Sequence, residues 1–490
     1  MTNQQETFSS RWGLLLAALG MAVGTGNIWR FPRIAAQNGG GEFLLVWILF
    51  LFTWSIPLLI AEFAIGKHTR KGNIGAFGTL IGAKFGWMGG FVAFCTVAIM
   101  FYYAVVTGWC LKYFFLAVGG AFSGLNPETS KNMFSVFVES TEPVVYHVIV
   151  FALASFVIYR GVTRGLETAN KILLPGIFAI LIFSIIWVLT EDGALKGLEF
   201  FFHPDLDALA DYKIWLEALT QSAWSTGAGW GLIMTYAVYM KQKEDIGLNS
   251  FIVGFGDNSA SLLAGMVIFA TVFALMPSNA AELLQSSGRA STGLTFEWLP
   301  ALFSTMPGGR IFAAFFFLAL FMAAFSSLIS MLELAVRNLI DTGLARSRAI
   351  LYVGSIGTLC GLPSALNSSF FENQDWVWGV GLMLSGIFVA FAVIKYGAEK
   401  FRKELVNGEG ADLQIGKWFS VVICVLIPLQ FVAMISWWFY QAITNFAKDD
   451  WWNPMSVYSV GTCIVQWLFI IIVFMLFNKK IMSRILKKDG

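Results

Sequence analysis

Apolar runs follow one another along this chain with only short polar breaks, and many reach the roughly 20 residues that cross a bilayer as helix. A soluble chain of 490 residues would suggest about three domains. Here 57% of residues are hydrophobic and only 13% are charged, against the roughly 25% charge of a soluble globular protein. Lipid offers backbone amides and carbonyls no partner, so repeated apolar runs of this length are expected to be helices. Hydropathy gives an all-α integral membrane protein of twelve spans, at roughly 11–37, 41–66, 88–117, 144–160, 166–190, 214–240, 251–276, 308–340, 349–366, 375–396, 417–445 and 455–478. The first apolar stretch, Leu14 to Val23, runs into Gly24-Thr25-Gly26 rather than a cleavage site, so no removable signal peptide is expected.

The net charge of +2 decides little, but its distribution orients the chain. With the N-terminus inside, most of the 32 lysines and arginines fall in inner segments. Examples are Lys67, Arg70 and Lys71, then Lys400, Arg402 and Lys403, and the tail from Lys479 to Lys488. The positive-inside rule therefore predicts two cytoplasmic termini in the cell (inner) membrane. The acidic connection carrying Glu191, Asp192, Asp205 and Asp207 suits an outer loop. All five cysteines fall in expected spans with no CxxC spacing, and read as packing residues.

Two spans are interrupted at related places, Gly20 to Asn27 in the first and Ser225 to Gly231 in the sixth. Each glycine costs about 1 kcal/mol in a helix relative to alanine, so such clusters predict unwound segments. Interruptions five spans apart predict an inverted repeat of five plus five helices: a tail 1–10, a first repeat 11–190, a second repeat 191–396, and a terminal region 397–490 with two further spans. The connections at about 118–143 and 277–307 have room for short helices. Gly82, Gly86, Gly89 and Gly90 carry no polar neighbours of this kind and read as close packing or a loop.

A break at mid-membrane exposes helix ends. Freed N–H groups suit a carboxylate and freed C=O groups suit a hard cation such as sodium. The run Gly24-Thr25-Gly26-Asn27-Ile28-Trp29-Arg30-Phe31-Pro32, followed by Gln37-Asn38-Gly39-Gly40-Gly41, closely resembles the first-helix signature of the neurotransmitter:sodium symporter family. The likeness continues through Glu62-Phe63-Ala64-Ile65-Gly66, Tyr102-Tyr103, Gln221 to Tyr239, Ser326-Ser327 and Asp375, and so covers essentially the whole chain.

That resemblance implies two sodium sites. The first would use Ala22, Asn27, Ser225 and Asp257 with the substrate carboxylate; the second would use Gly20, Val23 and Ala323 carbonyls with the Ser326 and Ser327 hydroxyls. Oxygen-only ligation is what a hard cation requires. Taken alone, Ser326 and Ser327 would be read as bonding back to their own helix. Asp257 places an acid where many members have asparagine, and Trp47 replaces a tyrosine expected among chloride ligands, so chloride is not expected to be required. The other reading of Asp257 is a helix-cap acid near the cytoplasmic end. Gly24 stands where amine-carrying members have aspartate, which favours an α-amino acid. The implied substrate pocket comprises Met21, Ala22, Thr25, Gly26, Ile99, Tyr103, Trp224, Ser225, Gly227, Trp230, Ser327 and Met331, an apolar and aromatic lining for a neutral substrate. Arg30 and Asp375 would form an outer ion pair. Tyr239 and Asp341 match an inner gate, but Gln5 stands in place of the usual N-terminal arginine, which Arg11 need not replace. Gly165 and Pro175 have the spacing that lets the fifth span unwind in relatives, a kink being the alternative.

An enzyme is disfavoured by the lack of HExxH or GxSxG and by only three histidines without metal spacing. A channel would need a continuous polar path, and a receptor without transport remains the third class. The reading is a sodium-coupled amino acid symporter whose partners are its small substrate and the bilayer, with no nucleic acid and no obligate protein partner.

Overall fold

The computed structural model describes residues 6–285 and 292–487. Gln5, the residue weighed for the inner gate, lies outside them. Among the described residues all regular structure is helical. Ten helices are long and apolar enough to cross a membrane: Gly41–Thr69, Ala83–Gly119, Glu142–Tyr159, Val162–Val188, Ile246–Leu275, Gly309–Asp341, Arg346–Leu366, Ser368–Tyr396, Trp418–Phe446 and Val460–Leu486. They are the second to fifth and seventh to twelfth of the spans expected from hydropathy. The first span is a pair, Arg11–Ala22 and Gly26–Gln37, bent by 53°. The sixth is also a pair, Tyr212–Ser225 and Leu232–Ala237, and each half is too short to cross by itself.

Local chemistry explains both breaks. The first helix is capped by the Ser10 side chain and ends where Val23 turns extended, with ψ of 94°. The chain then resumes through a wide π-type turn from Gly26 to Arg30. In the sixth span Gly227, Gly229 and Gly231 take φ of +66°, +87° and +77°. Residues with a Cβ rarely adopt such angles, so the helix stops there.

The third and eighth spans pack along each other at the centre, with the tenth against the third and the fifth against the eighth. The second span braces both halves of the sixth, and the seventh lies beside the first. Short helices Pro127–Glu139, Ala194–Phe202, Ala280–Leu284 and Leu299–Thr305 occupy the connections. Gly89 allows the chain at Asn73 to approach, since a Cβ there would lie 2.2 Å from the Asn73 carbonyl oxygen.

Two spans differ most from the hydropathy reading. The tenth span starts at Ser368 rather than 375, because its polar first turns are satisfied by neighbours: Tyr458 donates to Glu372 at 2.7 Å and Asn373 donates to the Val457 carbonyl at 2.8 Å. Asp375 therefore sits two turns inside the helix. The twelfth span runs on to Leu486, carrying Lys479, Lys480 and Arg484 on its last turns.

Gly229→Ala combines a left-handed φ with a Cβ 2.7 Å from the Gly386 Cα, whereas a Cβ at Gly26 meets nothing within 4 Å. We expect Gly229→Ala to cost about 2 kcal/mol or more and Gly26→Ala to stay within about 1 kcal/mol. Thermal unfolding in detergent reads both.

Candidate functional site

The break in the sixth span holds because side chains from other spans take over its backbone groups. Glu62, fully buried on the second span, accepts hydrogen bonds from the amides of Gly229 at 2.6 Å, Met234 at 3.0 Å and Gly231 at 3.2 Å. The Thr96 hydroxyl donates to the Trp230 carbonyl at 2.6 Å. In the first span the Gly24 amide donates to Asn27 Oδ1 at 2.8 Å, and the Thr25 amide reaches the Tyr103 hydroxyl at 3.2 Å. A buried amide without a partner costs about 1–3 kcal/mol, so these contacts are conditions for the breaks to exist.

Beside them lies a buried polar cluster. Asn27 Nδ2 donates to Asp257 Oδ1 at 2.7 Å and to Ser261 Oγ at 2.8 Å, with Ser225 Oγ 3.1 Å away, and Ser225 Oγ donates to Asp257 Oδ2 at 2.8 Å. Asp257 is fully buried in the middle of Ile246–Leu275, not at a helix end, which removes the helix-cap reading. Among the described residues no lysine or arginine pairs with it. A carboxylate held in a low-dielectric interior by neutral donors alone is costly. The cluster therefore fits a small cation carried in by solvent: one charge and several neutral oxygens, the donor set of a hard ion. No group of three or more His, Cys, Asp or Glu suited to a metal occurs among the described residues. For a cation to take Asn27 as a ligand, the amide must turn its oxygen, which here accepts from Gly24.

At the second expected site the first and eighth spans meet, with the fifth span alongside. Ser327 Oγ crosses to the Met21 carbonyl at 3.1 Å, whereas Ser326 Oγ bonds back to the Ala323 carbonyl at 2.9 Å. A Cβ at Gly20 would lie 2.0 Å from Asn170 Oδ1 of the fifth span, so that side chain would have to move to admit one. Gly20 lies in the last turn of the helix Arg11–Ala22, and Val23 follows where the backbone turns extended. Gly165 lies in the π-type turn Val162–Glu167, and Pro175 lies inside Thr168–Val188, which remains wound.

All twelve residues expected around the substrate border one cavity of about 660 Å³. Its deep part is apolar and aromatic, with Met21, Ile99, Trp224 and Met331 among its walls, and it extends past Arg30 and Asp375 to Lys213, Gln441 and Tyr458. The expected Arg30–Asp375 ion pair is not formed within 4 Å. The Arg30 guanidinium instead lies 4.4 Å from the centroid of the Trp224 ring, an arrangement attractive in its own right.

At the opposite, basic end Tyr239 and Asp341 have partners that the sequence does not name. Tyr239 donates to Glu333 at 2.6 Å, and Arg346 grips the same carboxylate at 2.6 and 3.0 Å. Asp341 accepts from Arg337 at 2.7 Å and from the Gly72 amide at 2.6 Å. Phe8 wedges its ring edge-on against Tyr236 and Tyr239. Arg11 faces Asn249 and Glu244 rather than Asp341. Sequence reasoning does not single out Glu62, Glu333, Arg346 or Phe8 for these roles. An acid inside an apolar run is the available signal for Glu62 and Glu333.

Helices broken against each other around a buried cavity are the architecture of secondary transporters rather than of pores or enzymes. The chain belongs to the sodium:neurotransmitter symporter family, whose model matches residues 5–123 and 129–483, and it is a sodium-dependent transporter with multiple membrane spans. It is similar to an uncharacterised sodium-dependent transporter of Methanocaldococcus jannaschii, 31% identical over 488 residues and covering 96% of this chain and 97% of that protein. A second such transporter, from Bacillus subtilis, is 29% identical over 446 residues, 87% of this chain and 96% of that one. The crystal structure of MhsT in complex with L-phenylalanine matches with a TM-score of 0.76 at 30% identity, over 88% of this chain and 99% of that one. The fold is therefore the one the sequence resemblance implied.

Two substitutions separate the roles at the basic end. Tyr239→Phe removes one hydrogen bond and should cost about 1 kcal/mol. Arg346→Met strands the fully buried Glu333 and should cost about 3 kcal/mol or more. Unfolding midpoints should fall in that order.

Proposed function

We propose that this protein imports a neutral, hydrophobic or aromatic α-amino acid together with sodium, by alternating access and without chloride. Gly24 is the observation that carries the reading. A Cβ there would lie 3.0 Å from both Tyr103 Oη and Ser327 Oγ, so a side chain such as aspartate would crowd both hydroxyls, and the bare position leaves the backbone of the first break facing the cavity, open to a substrate carboxylate. Thr25 and Gly26 amides and the Tyr103 hydroxyl would meet the substrate carboxylate. The apolar walls would take its side chain, with no opposite charge among the deep residues to favour a cationic or acidic one. In support, the structure of MhsT is a complex with L-phenylalanine, and a relative from Pongo abelii, 27% identical over 303 residues (55% of this chain, 41% of that one), is named a neutral amino acid transporter.

Sodium is cargo here. Asp257, Ser225, Asn27 and the Ala22 carbonyl would hold one ion against the substrate carboxylate. The Gly20, Val23 and Ala323 carbonyls with Ser326 and Ser327 would hold a second. Because the substrate completes the first site, each ligand raises the affinity of the other. The Asp257 carboxylate supplies the negative charge that chloride provides elsewhere, while Trp47, its ring 4.5 Å from that of Phe31, occupies a ligand position. We place the basic end in the cytoplasm, with both termini, in the cell's inner membrane. The cavity then opens outward through Arg30 and Asp375, and Tyr239, Glu333 and Asp341 close the inside. Gly165 and Pro175 are where the fifth span would loosen when the inner side opens. Each net charge carried inward adds about 2.3 kcal/mol per 100 mV of membrane potential.

Proteoliposome uptake of labelled phenylalanine, leucine, lysine and glutamate tests this. Accumulation of phenylalanine or leucine should require sodium and be unchanged when gluconate replaces chloride. Gly24→Asp should abolish it while the protein stays folded. Accumulation of lysine in preference, or uptake lost on removing chloride, would overturn the reading.

A further inference from the structure

Away from the central cavity, the third, eighth, ninth and twelfth spans enclose a lipid-facing groove of about 580 Å³. Phe94, Val97, Leu339, Ile356, Phe474 and Phe477 are among its walls, and nearly all of its lining is apolar. Its two exceptions in charge are Lys480 and Arg484, one helical turn apart on the last turns of the twelfth span. No carboxylate lines it. Both basic side chains are exposed.

The geometry points to a binding site for one anionic phospholipid of the leaflet at the basic end, acyl chain in the groove and headgroup phosphate on Lys480 and Arg484. Three features converge on that occupant. From Phe474 to Arg484 the helix rises about 15 Å, half of a hydrocarbon core of about 30 Å, so the charges stand at headgroup level when the apolar wall reaches mid-membrane. Two like charges four residues apart repel each other unless an anion lies between them. Basic pockets between spans on the cytoplasmic side are where acidic headgroups are attracted, each nearby cation contributing to affinity. A zwitterionic lipid satisfies the groove but not the charge pair. A second copy of the chain satisfies the apolar wall but brings its own basic tail to the same end.

The site is separate from the transport machinery, since none of its residues borders the central cavity. Its eighth-span wall, at Asn338, Leu339 and Thr342, nevertheless shares a helix with Glu333 and Asp341. Asn338 Oδ1 also holds the Ile74 amide at 3.1 Å.

Native mass spectrometry of the full chain in neutral detergent, titrated with phosphatidylglycerol and with phosphatidylcholine of the same acyl chains, tests the assignment. We expect one phosphatidylglycerol retained per chain in preference to phosphatidylcholine. Lys480→Gln with Arg484→Gln should weaken that retention on the order of 30-fold. Ile356→Trp, which puts bulk into the groove, should weaken it too. An unchanged stabilisation by sodium in thermal unfolding checks that each variant is folded. Equal retention of the two lipids would overturn the proposal. So would loss on charge removal but not on filling the groove, which marks adsorption at the surface. A dimer that dissociates in the filled variant while lipid retention is unaltered would assign the groove to a second copy instead.

Discussion

Backbone amides and carbonyls released inside a bilayer have no water to turn to, and this protein releases them twice, in two adjoining helices. Each freed group must meet a partner or the helix would rewind. Glu62 takes three amides of the sixth span, Thr96 takes a carbonyl, and Tyr103 with Asn27 takes amides of the first. The partners come largely from the second and third spans, so the cavity is built jointly and no single helix defines it. In the proposed function, a cation and a substrate carboxylate would complete what the protein's own side chains leave unfinished.

The two ends of the molecule are held by different physics. Toward Lys213 and Tyr458 the closure is loose: a guanidinium resting on an indole, with its potential carboxylate partner at a distance. Toward the basic end a buried carboxylate receives an arginine in two bonds and a tyrosine in a third, and an aromatic wedge seals the rest. Buried charge networks of this kind resist partial opening, because losing one member leaves the others unpaired. Alternating between two such closures requires that the weaker one strengthen as the stronger is released.

Much of this architecture is legible in the amino-acid order alone. Glycine clusters locate both breaks because each glycine weakens a helix, and in the sixth span three alternate glycines do take positive φ. Residues far apart in sequence, Asn27, Ser225 and Asp257, are assigned to one site through family resemblance, and they do lie within hydrogen-bonding distance. Partnerships are harder to read. Hydropathy marks an acid such as Glu333 as exceptional but cannot say that Arg346, across a turn and onto another helix, will neutralise it. Nor can it place the start of the tenth span, where Glu372 and Asn373 look like loop residues until Tyr458 and Val457 are seen to satisfy them. Arg30 illustrates the same limit: sequence names an ion pair, whereas the conformation decides between Asp375 and the face of Trp224.

If sodium and the substrate carboxylate share the first break, their affinities are bound by reciprocity. Equilibrium binding of radiolabelled sodium to the purified transporter, with and without a saturating hydrophobic amino acid, measures that coupling. The amino acid should tighten sodium by the same factor by which sodium tightens the amino acid, and Asp257→Asn should reduce the factor toward one. Sodium binding indifferent to the amino acid in the unsubstituted protein would contradict a shared site.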